Sequence, residues 1–259
     1  MRFTPTHALV TGASAGIGAA FARALAGRGT DLVLVARRAD RLAALATELR
    51  ETFGVEVTVL ALDLGAIGAI EQLRDQLTRS RPLDAVINCA GFGTRGHFAE
   101  EDLDRLQQEI QLNVVAVVAI SRAFLPTMIA QRRGALVNIA SLFAYQPAPN
   151  MAVYGATKAF ILNFTEALWH EVRGSGVKVL AVSPGPTRTE FFDAIEGFAD
   201  EVPRRVFQTP EQVVGATLRA LDRRDPPPSI TSGGLATALS RATRLVTRRA
   251  AIRLAAAIT

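Results

Sequence analysis

Tyr154 and Lys158 stand four residues apart in the segment YGATK, at the head of an apolar helical stretch. Four residues is one helical turn, so both side chains share a face and can meet. A phenol is a proton donor, and an ammonium beside it favours the phenolate. The pair is suited to proton transfer at an oxygen held within reach. The chain has 29 basic residues and only two lysines, Lys158 and Lys178. Lysine carries a compact ammonium with three donors, where arginine presents a flat fork. A chain that uses arginine almost everywhere has kept lysine here.

A second group of residues can bind anions. An apolar strand ends in Thr11-Gly12-Ala13-Ser14-Ala15-Gly16-Ile17-Gly18 and runs into a helix. Glycines allow a tight turn and a close backbone approach, and a helix N-terminus attracts a pyrophosphate. Gly12, Ser14, Ala15, Gly16, Ile17 and Gly18 are therefore candidate nucleotide contacts. The next strand ends at Val35-Ala36-Arg37-Arg38. An NAD site places an acid here for the ribose 2′-hydroxyl. Two arginines instead suit a 2′-phosphate, so the expected cofactor is NADP(H). Arg37 is the first choice for that contact, with Arg38 stacking on adenine or solvated and Ser14 adding a hydroxyl. Asp40 reads as the N-cap of the next helix.

Further strand ends add Asp63-Leu64, where the carboxylate either accepts from an adenine amino group or caps the following helix. Asn88-Cys89-Ala90-Gly91 ends another strand, and small residues there let a ribose pass close to the backbone.

These residues need a scaffold. Apolar strands are expected at Ala8–Thr11, Leu32–Ala36, Val55–Ala61, Ala85–Asn88, Ala135–Ala140, Lys178–Ser183 and Ser229–Thr231. Helices are expected near 17–28, 40–53, 67–79, 102–131, 154–173 and 210–223. Strands apolar on both faces belong in a parallel sheet covered on both sides. The fold expected is α/β, a Rossmann-type doubly wound parallel sheet. Residues 1–231 form a single dinucleotide-binding and catalytic domain, and 232–259 a basic C-terminal helical extension.

Composition narrows the alternatives. With 259 residues, 49% of them hydrophobic, the chain can bury a full core. Its formal charge is +5. That charge reflects arginine use more than a nucleic-acid footprint, and no nucleic-acid partner is expected. A single cysteine, Cys89, forbids an internal disulfide and fits a reducing, cytoplasmic setting. No signal-peptide core stands at the N-terminus, and no uninterrupted apolar run approaches the length of a membrane span.

In order and spacing, TGASAGIG at 11–18, Asp63-Leu64, NCAG at 88–91, Asn113 in LNVVA, Ser141, YGATK at 154–158 and PGPTRT at 184–189 resemble the short-chain dehydrogenase/reductase family. The resemblance covers roughly residues 5–192. It implies a catalytic tetrad of Asn113, Ser141, Tyr154 and Lys158. Ser141 would hold a substrate carbonyl oxygen and Tyr154 would protonate it. Lys158 would hold the nicotinamide ribose and lower the phenol pKa. Asn113 would kink its helix and bind a water that links Lys158 to solvent. Pro184, Gly185 and Thr187 would lie along the nicotinamide, and Thr189 would bond its carboxamide or the pyrophosphate; relatives usually carry Val or Ile where Thr187 stands.

The implied activity is hydride transfer between NADP(H) and a carbonyl or alcohol. Phe92–His97, Leu142–Met151 and Phe191–Phe207 are expected to shape the substrate pocket. Their Phe92, Phe143, Tyr145, Met151, Phe191, Phe192 and Phe198 suit an apolar ketone or secondary alcohol. Arg95 and Arg188 are the candidates for an anionic substrate group. The family expectation is a homodimer or homotetramer. The basic C-terminal segment reads either as an interfacial helix on an anionic membrane or a contact to an acidic carrier partner, or as a soluble helix over the pocket or an oligomer face. Its interrupted apolar stripe favours the soluble helix. An acyl-chain or lipid ketoreductase and a non-catalytic NADP sensor are the competing functions.

Overall fold

A computed structural model describes residues 2–77, 81–193, 206–242 and 247–256. Seven strands form one sheet: β1 His7–Thr11, β2 Asp31–Ala36, β3 Val57–Ala61, β4 Ala85–Asn88, β5 Gly134–Ile139, β6 Val177–Pro184 and β7 Ser229–Ser232. All pairings are parallel, in the order β3-β2-β1-β4-β5-β6-β7. The helices are α1 Gly16–Ala26, α2 Ala39–Phe53, α3 Ala69–Leu77, α4 Leu103–Ile110, α5 Val117–Ala130, α6 Ala152–Glu171, α7 Glu190–Asp193, α8 Pro210–Leu221, α9 Gly234–Ala242 and α10 Arg248–Ala256.

The two-residue period of each strand builds two cores. Ala8, Val10, Leu32 and Leu34 face α1, α2 and α8, meeting Phe21, Leu42 and Val213. Leu9, Val33 and Val35 face the other way, toward Leu73 of α3 and Ile120 and Met128 of α5. Phe21 is wholly buried, and burial of such a side chain contributes ~1.5–3 kcal/mol. Strand order reverses between β1 and β4. That reversal opens a crevice at the carboxyl ends of the strands, where open α/β sheets bind ligands.

Two expectations change in detail. The single helix expected over 102–131 is broken into α4, a π-helical turn at Gln111–Ala116, and α5. Asp102 starts it, accepting from Arg105 N at 3.0 Å. By length and composition the run Leu103–Ala130 could cross a membrane, although no uninterrupted apolar stretch marks it in the sequence. Its buried side packs on the sheet through Ala116, Ile120 and Met128. Asp40 does not cap α2. The residue at the cap is Arg38, and Asp40 lies inside the first turn, where its charge complements the helix dipole.

The end of β7 and helix α9 pack into the body of the protein. Ser232 donates to Gln208 Oε1 at 2.6 Å, and Ala236 of α9 lies against Gly185.

Candidate active site

A cleft of about 1140 Å³ follows the carboxyl edge of β1, β2, β4, β5 and β6. Its floor is the β1–α1 turn. Gly12 has φ +67°, a left-handed conformation that costs glycine nothing. A Cβ on Gly12 would lie 2.9 Å from Ala90 Cα, and one on Gly18 would lie 2.3 Å from the Gly12 carbonyl. The turn therefore closes only with glycine at both positions. Ala15 is extended and leads into α1, so the free N–H groups of the first turn open on the cleft. Thr11 ties this floor to β4: its Oγ1 accepts from Cys89 N at 2.9 Å and from Ala90 N at 3.0 Å.

At one end of the cleft stand the arginines. Arg37 is exposed on the cleft wall. The Arg38 guanidinium is tied down: it donates to Ser14 Oγ at 3.1 Å and to Glu190 Oε2 at 2.7 Å. Arg41, one turn into α2, grips the other oxygen of Glu190. The two cations hold the Glu190 carboxyl below its ordinary range. Asp63 accepts from Gly65 N at 3.0 Å in a local turn, and lines the cleft beside Leu64 without capping α3.

At the other end Ser141, Tyr154 and Lys158 line one wall. Ser141 follows β5 in an extended conformation and accepts from Phe143 N at 3.2 Å, which starts a short 3-10 turn at Leu142–Tyr145. Tyr154 lies in the first turn of α6, between Phe143 (ring centroids 6.2 Å apart) and Phe191 (5.3 Å). Lys158 Nζ donates to the Ile139 carbonyl at 3.0 Å and stands 5.7 Å from the Tyr154 ring centroid. Burial brings the Lys158 ammonium down to about 8. Burial also pushes the Tyr154 phenol up, a bond from Ser141 opposes the rise, and the charge of Glu109 adds to it. For the chain alone this is the reverse of the expected fall. Desolvation of the phenolate outweighs its neighbours, and the ammonium donates to a carbonyl rather than to the phenol.

Asn113 lies behind this wall, wholly buried in the π-turn. Its Nδ2 donates to the Phe92 carbonyl at 2.8 Å and to Thr157 Oγ1 at 3.2 Å, and its Oδ1 accepts from Phe92 N at 3.2 Å. Gly91 fits between: a Cβ there would sit 2.8 Å from Asn113 Oδ1 and 3.4 Å from Lys158 Nζ.

Of the residues expected to contact the nucleotide, all line the cleft except Asn88. Asn88 is instead a buried amide whose Nδ2 donates to Asn138 Oδ1 at 2.8 Å, and it secures β4 to β5 from behind. Tyr145 and Met151 also leave the expected pocket. The Tyr145 ring packs with Ile161 and Leu162 and its hydroxyl accepts from Thr231 at 3.4 Å, while Met151 is buried beneath Tyr154. Phe198 and the side chain of Phe192 fall outside the described residues. Arg95 and Arg188 are not on the cleft wall; beside Phe92 the wall carries Arg105 instead, stacked 3.9 Å over the Phe92 ring.

Sequence reading missed Gln208. It is buried, donates through Nε2 to the Ser232 carbonyl at 3.1 Å, and pairs its backbone with the segment 186–188. It thereby fixes the PGPT turn against β7. No spacing signals it, because its partners lie 20 or more residues away in both directions. Glu190 was missed for a different reason: an acid next to PGPTRT carries no sign of the arginines it meets.

The cradle formed by Gly12, Gly16 and Gly18 with the α1 N-terminus fits a dinucleotide pyrophosphate, since a Cβ at any of them would meet atoms within 3 Å. Comparison with known proteins agrees with this geometry. The model of the short chain dehydrogenase family matches residues 6–198. A short chain dehydrogenase from Pseudocercospora fijiensis is 35% identical over 71% of this chain; the match spans only 60% of that longer protein. The 7beta-hydroxysteroid dehydrogenase of Collinsella aerofaciens is 32% identical over 83% of this chain and 82% of its own length. A short-chain dehydrogenase from Sphingobium yanoikuyae, solved in complex with NADPH, superposes with a TM-score of 0.80 at 36% identity, covering 87% of both chains. The protein described here belongs to the short chain dehydrogenase family.

Proposed function

We propose that this oxidoreductase uses NADP(H) and interconverts an apolar ketone and its secondary alcohol. The observation that carries the proposal is the meeting of Ser141, Tyr154 and Lys158 on one wall of a cleft whose floor is the glycine turn. The nucleotide, when bound, supplies or accepts the hydride. The remaining work belongs to the chain. The α1 N-terminus and the glycine turn hold the pyrophosphate. Arg37 and Arg38, with Ser14, neutralise the 2′-phosphate. Ser141 donates a hydrogen bond to the carbonyl oxygen, and Tyr154 gives that oxygen its proton. Lys158 keeps a positive charge behind the phenol, and Asn113 holds the loop that covers both.

The substrate wall supports the apolar assignment. Phe92, Phe143 and Phe191 surround the Tyr154 end, and Arg105 is engaged by the Phe92 ring. Two neighbours fit the same reading, one crystallised with NADPH and one named for a hydroxysteroid.

A cytoplasmic homodimer or homotetramer is part of the proposal. Ile110, Val115 and Phe160 are each more than 40% exposed on α4, the π-turn and α6, an apolar face that a second copy would cover.

The test is NADPH oxidation over a panel of apolar ketones and aldehydes, with Tyr154→Phe alongside. Turnover should fall by ~10²–10⁴-fold in the variant. Undiminished turnover in Tyr154→Phe would remove Tyr154 from the chemistry, and tight NADPH binding without turnover on any carbonyl would leave a nucleotide sensor.

A further inference from the structure

Glu109 is a buried carboxyl that the proposed mechanism does not use. It sits on α4, one turn before Asn113, so the two share a helix face. Both grip the loop after β4. Asn113 holds Phe92 at its N–H and carbonyl, and Glu109 Oε2 accepts from Thr94 N at 3.1 Å and Thr94 Oγ1 at 2.7 Å. That loop passes over the site, for Gly93 lies against the Tyr154 ring. Glu109 is wholly inaccessible to solvent, and its second oxygen, Oε1, has no hydrogen-bond partner among the described residues. A buried carboxylate oxygen without a donor is costly unless its charge or its proton serves a purpose.

We propose that Glu109 is a positioning residue of this catalytic centre: Oε2 anchors the loop Phe92–Thr94, and the unpartnered end of the carboxyl sets the proton load of Tyr154 and Lys158. The proposal rests on the oxidoreductase reading for its role in turnover, but not for its electrostatics.

The groups that face Glu109 define its action. From α6 come Lys158 and Tyr154, from the segment before α4 comes Glu101, and Thr94 is the polar contact; Lys158 also interacts with Cys89. Burial pushes the Glu109 carboxyl up, Thr94 and Lys158 draw it back, and Glu101 adds to the rise. Once ionised, Glu109 acts on both partners in one direction. It works against the loss of the Lys158 proton, and it works against ionisation of Tyr154. Both effects keep the pair protonated, which extends upward the pH range over which Tyr154 can serve as an acid. Carbonyl reduction needs that form; alcohol oxidation needs the phenolate.

Glu109→Gln is the informative variant. A Gln side-chain carbonyl can accept both Thr94 bonds, so the loop anchor stays while the charge goes. With only two lysines in the chain, ¹⁵Nζ-lysine labelling yields two side-chain resonances for the cofactor-free protein. Lys178, bonded to the Leu221 and Arg223 carbonyls, is the internal reference for folding. In Glu109→Gln the Lys158 titration midpoint should fall by roughly half a pH unit or more, with Lys178 unmoved. In the unaltered chain the Lys158 resonance should carry a second, lower inflection as Glu109 ionises, and the variant should lose it. An unmoved or raised Lys158 midpoint, or a wild-type curve without that inflection, overturns the proposal.

A kinetic arm follows. The rising limb of alcohol oxidation against pH should move to lower pH in Glu109→Gln, whereas a purely structural carboxyl would leave it in place. Failure of the chain to turn over any carbonyl would sink the oxidoreductase reading and leave the lysine titration standing.

Discussion

The two ends of the cleft are built to different rules. At the end that carries Ser141, Tyr154 and Lys158, Asn113 and Glu109 are wholly buried and Lys158 is 7% exposed; Asn113 and Lys158 are held by named hydrogen bonds. At the arginine end Arg38 and Arg41 share one carboxylate, Glu190, and all three side chains are between 41% and 47% exposed. Buried polar groups act in a low dielectric, where a single proton or methyl group counts heavily. Exposed charges are screened and individually weak. Substitutions at the first end should therefore be severe in turnover, and those at the second should redistribute cofactor preference.

Lys158→Met should show the severe case most clearly. Turnover should drop by ~10²–10⁴-fold, yet the variant should unfold at a higher temperature. Lys158 titrates at about 8 in the fold against 10.5 ordinarily. Below 8 the folded chain bears the full burden of a buried ammonium, about 3 kcal/mol. Between 8 and 10.5 the unfolded chain binds more protons, so stability rises with pH across that window. The substitution removes the burden and the rise together, and leaves the Ile139 carbonyl unpaired at about 1 kcal/mol. Denaturant titrations at several pH values would check both signs. A variant less stable than wild type at neutral pH would show that the ammonium is a net structural support.

Gly18→Ala probes the floor common to both ends. Its Cβ would meet the Gly12 carbonyl at 2.3 Å, backbone against backbone, so the turn must shift. Overpacking of that kind costs about 1–3 kcal/mol, and nucleotide affinity should fall ~10–100-fold by calorimetry. Unchanged affinity would mean that the turn adapts and that the close approach is incidental.

The same contrast governs what the sequence discloses. The sheet was legible because strands buried on both faces are uniformly apolar, as at Ala8–Val10 and Leu32–Val35. That Ser141, Tyr154 and Lys158 share one wall of the cleft was legible because they are placed by elements a short distance apart in the chain. Asn88 misled because a polar residue at a strand end can turn either toward the ligand or back into the core, and Asn138 takes it into the core. Glu109 passed unnoticed as one more acid on a helix with Asp104 and Glu100 nearby; only burial separates it from them. The arginines were legible as cations but not in their pairing. Arg37 stood first by position, while Arg38 is the one tied to Ser14, because that tie joins elements 24 residues apart.

Arg38→Ala sharpens the arginine end. Loss of a charge-assisted contact costs about 1.5–3 kcal/mol when the partner is a phosphate, so the preference for NADPH over NADH should shrink by roughly 10-fold or more. Arg37→Ala, on a side chain with no such tie to the glycine turn, should shrink it less. Kd values for both nucleotides with each variant would rank the two arginines. The reverse ranking would restore Arg37 as the principal phosphate contact.

Glu190→Gln should have the smallest effect, and the opposite sign. Glu190 engages both Arg38 and Arg41, so a 2′-phosphate must compete with a carboxylate already seated between them. Exposed pairs of this kind are worth about 0–1 kcal/mol, which sets the expected gain in NADPH affinity at up to about five-fold. NADH, which lacks the phosphate, should bind unchanged. The gain should also narrow as salt is raised, since screening weakens the competing pair. Equal tightening of NADH would show that Glu190 acts through the placement of α7, which it begins, and not through its charge.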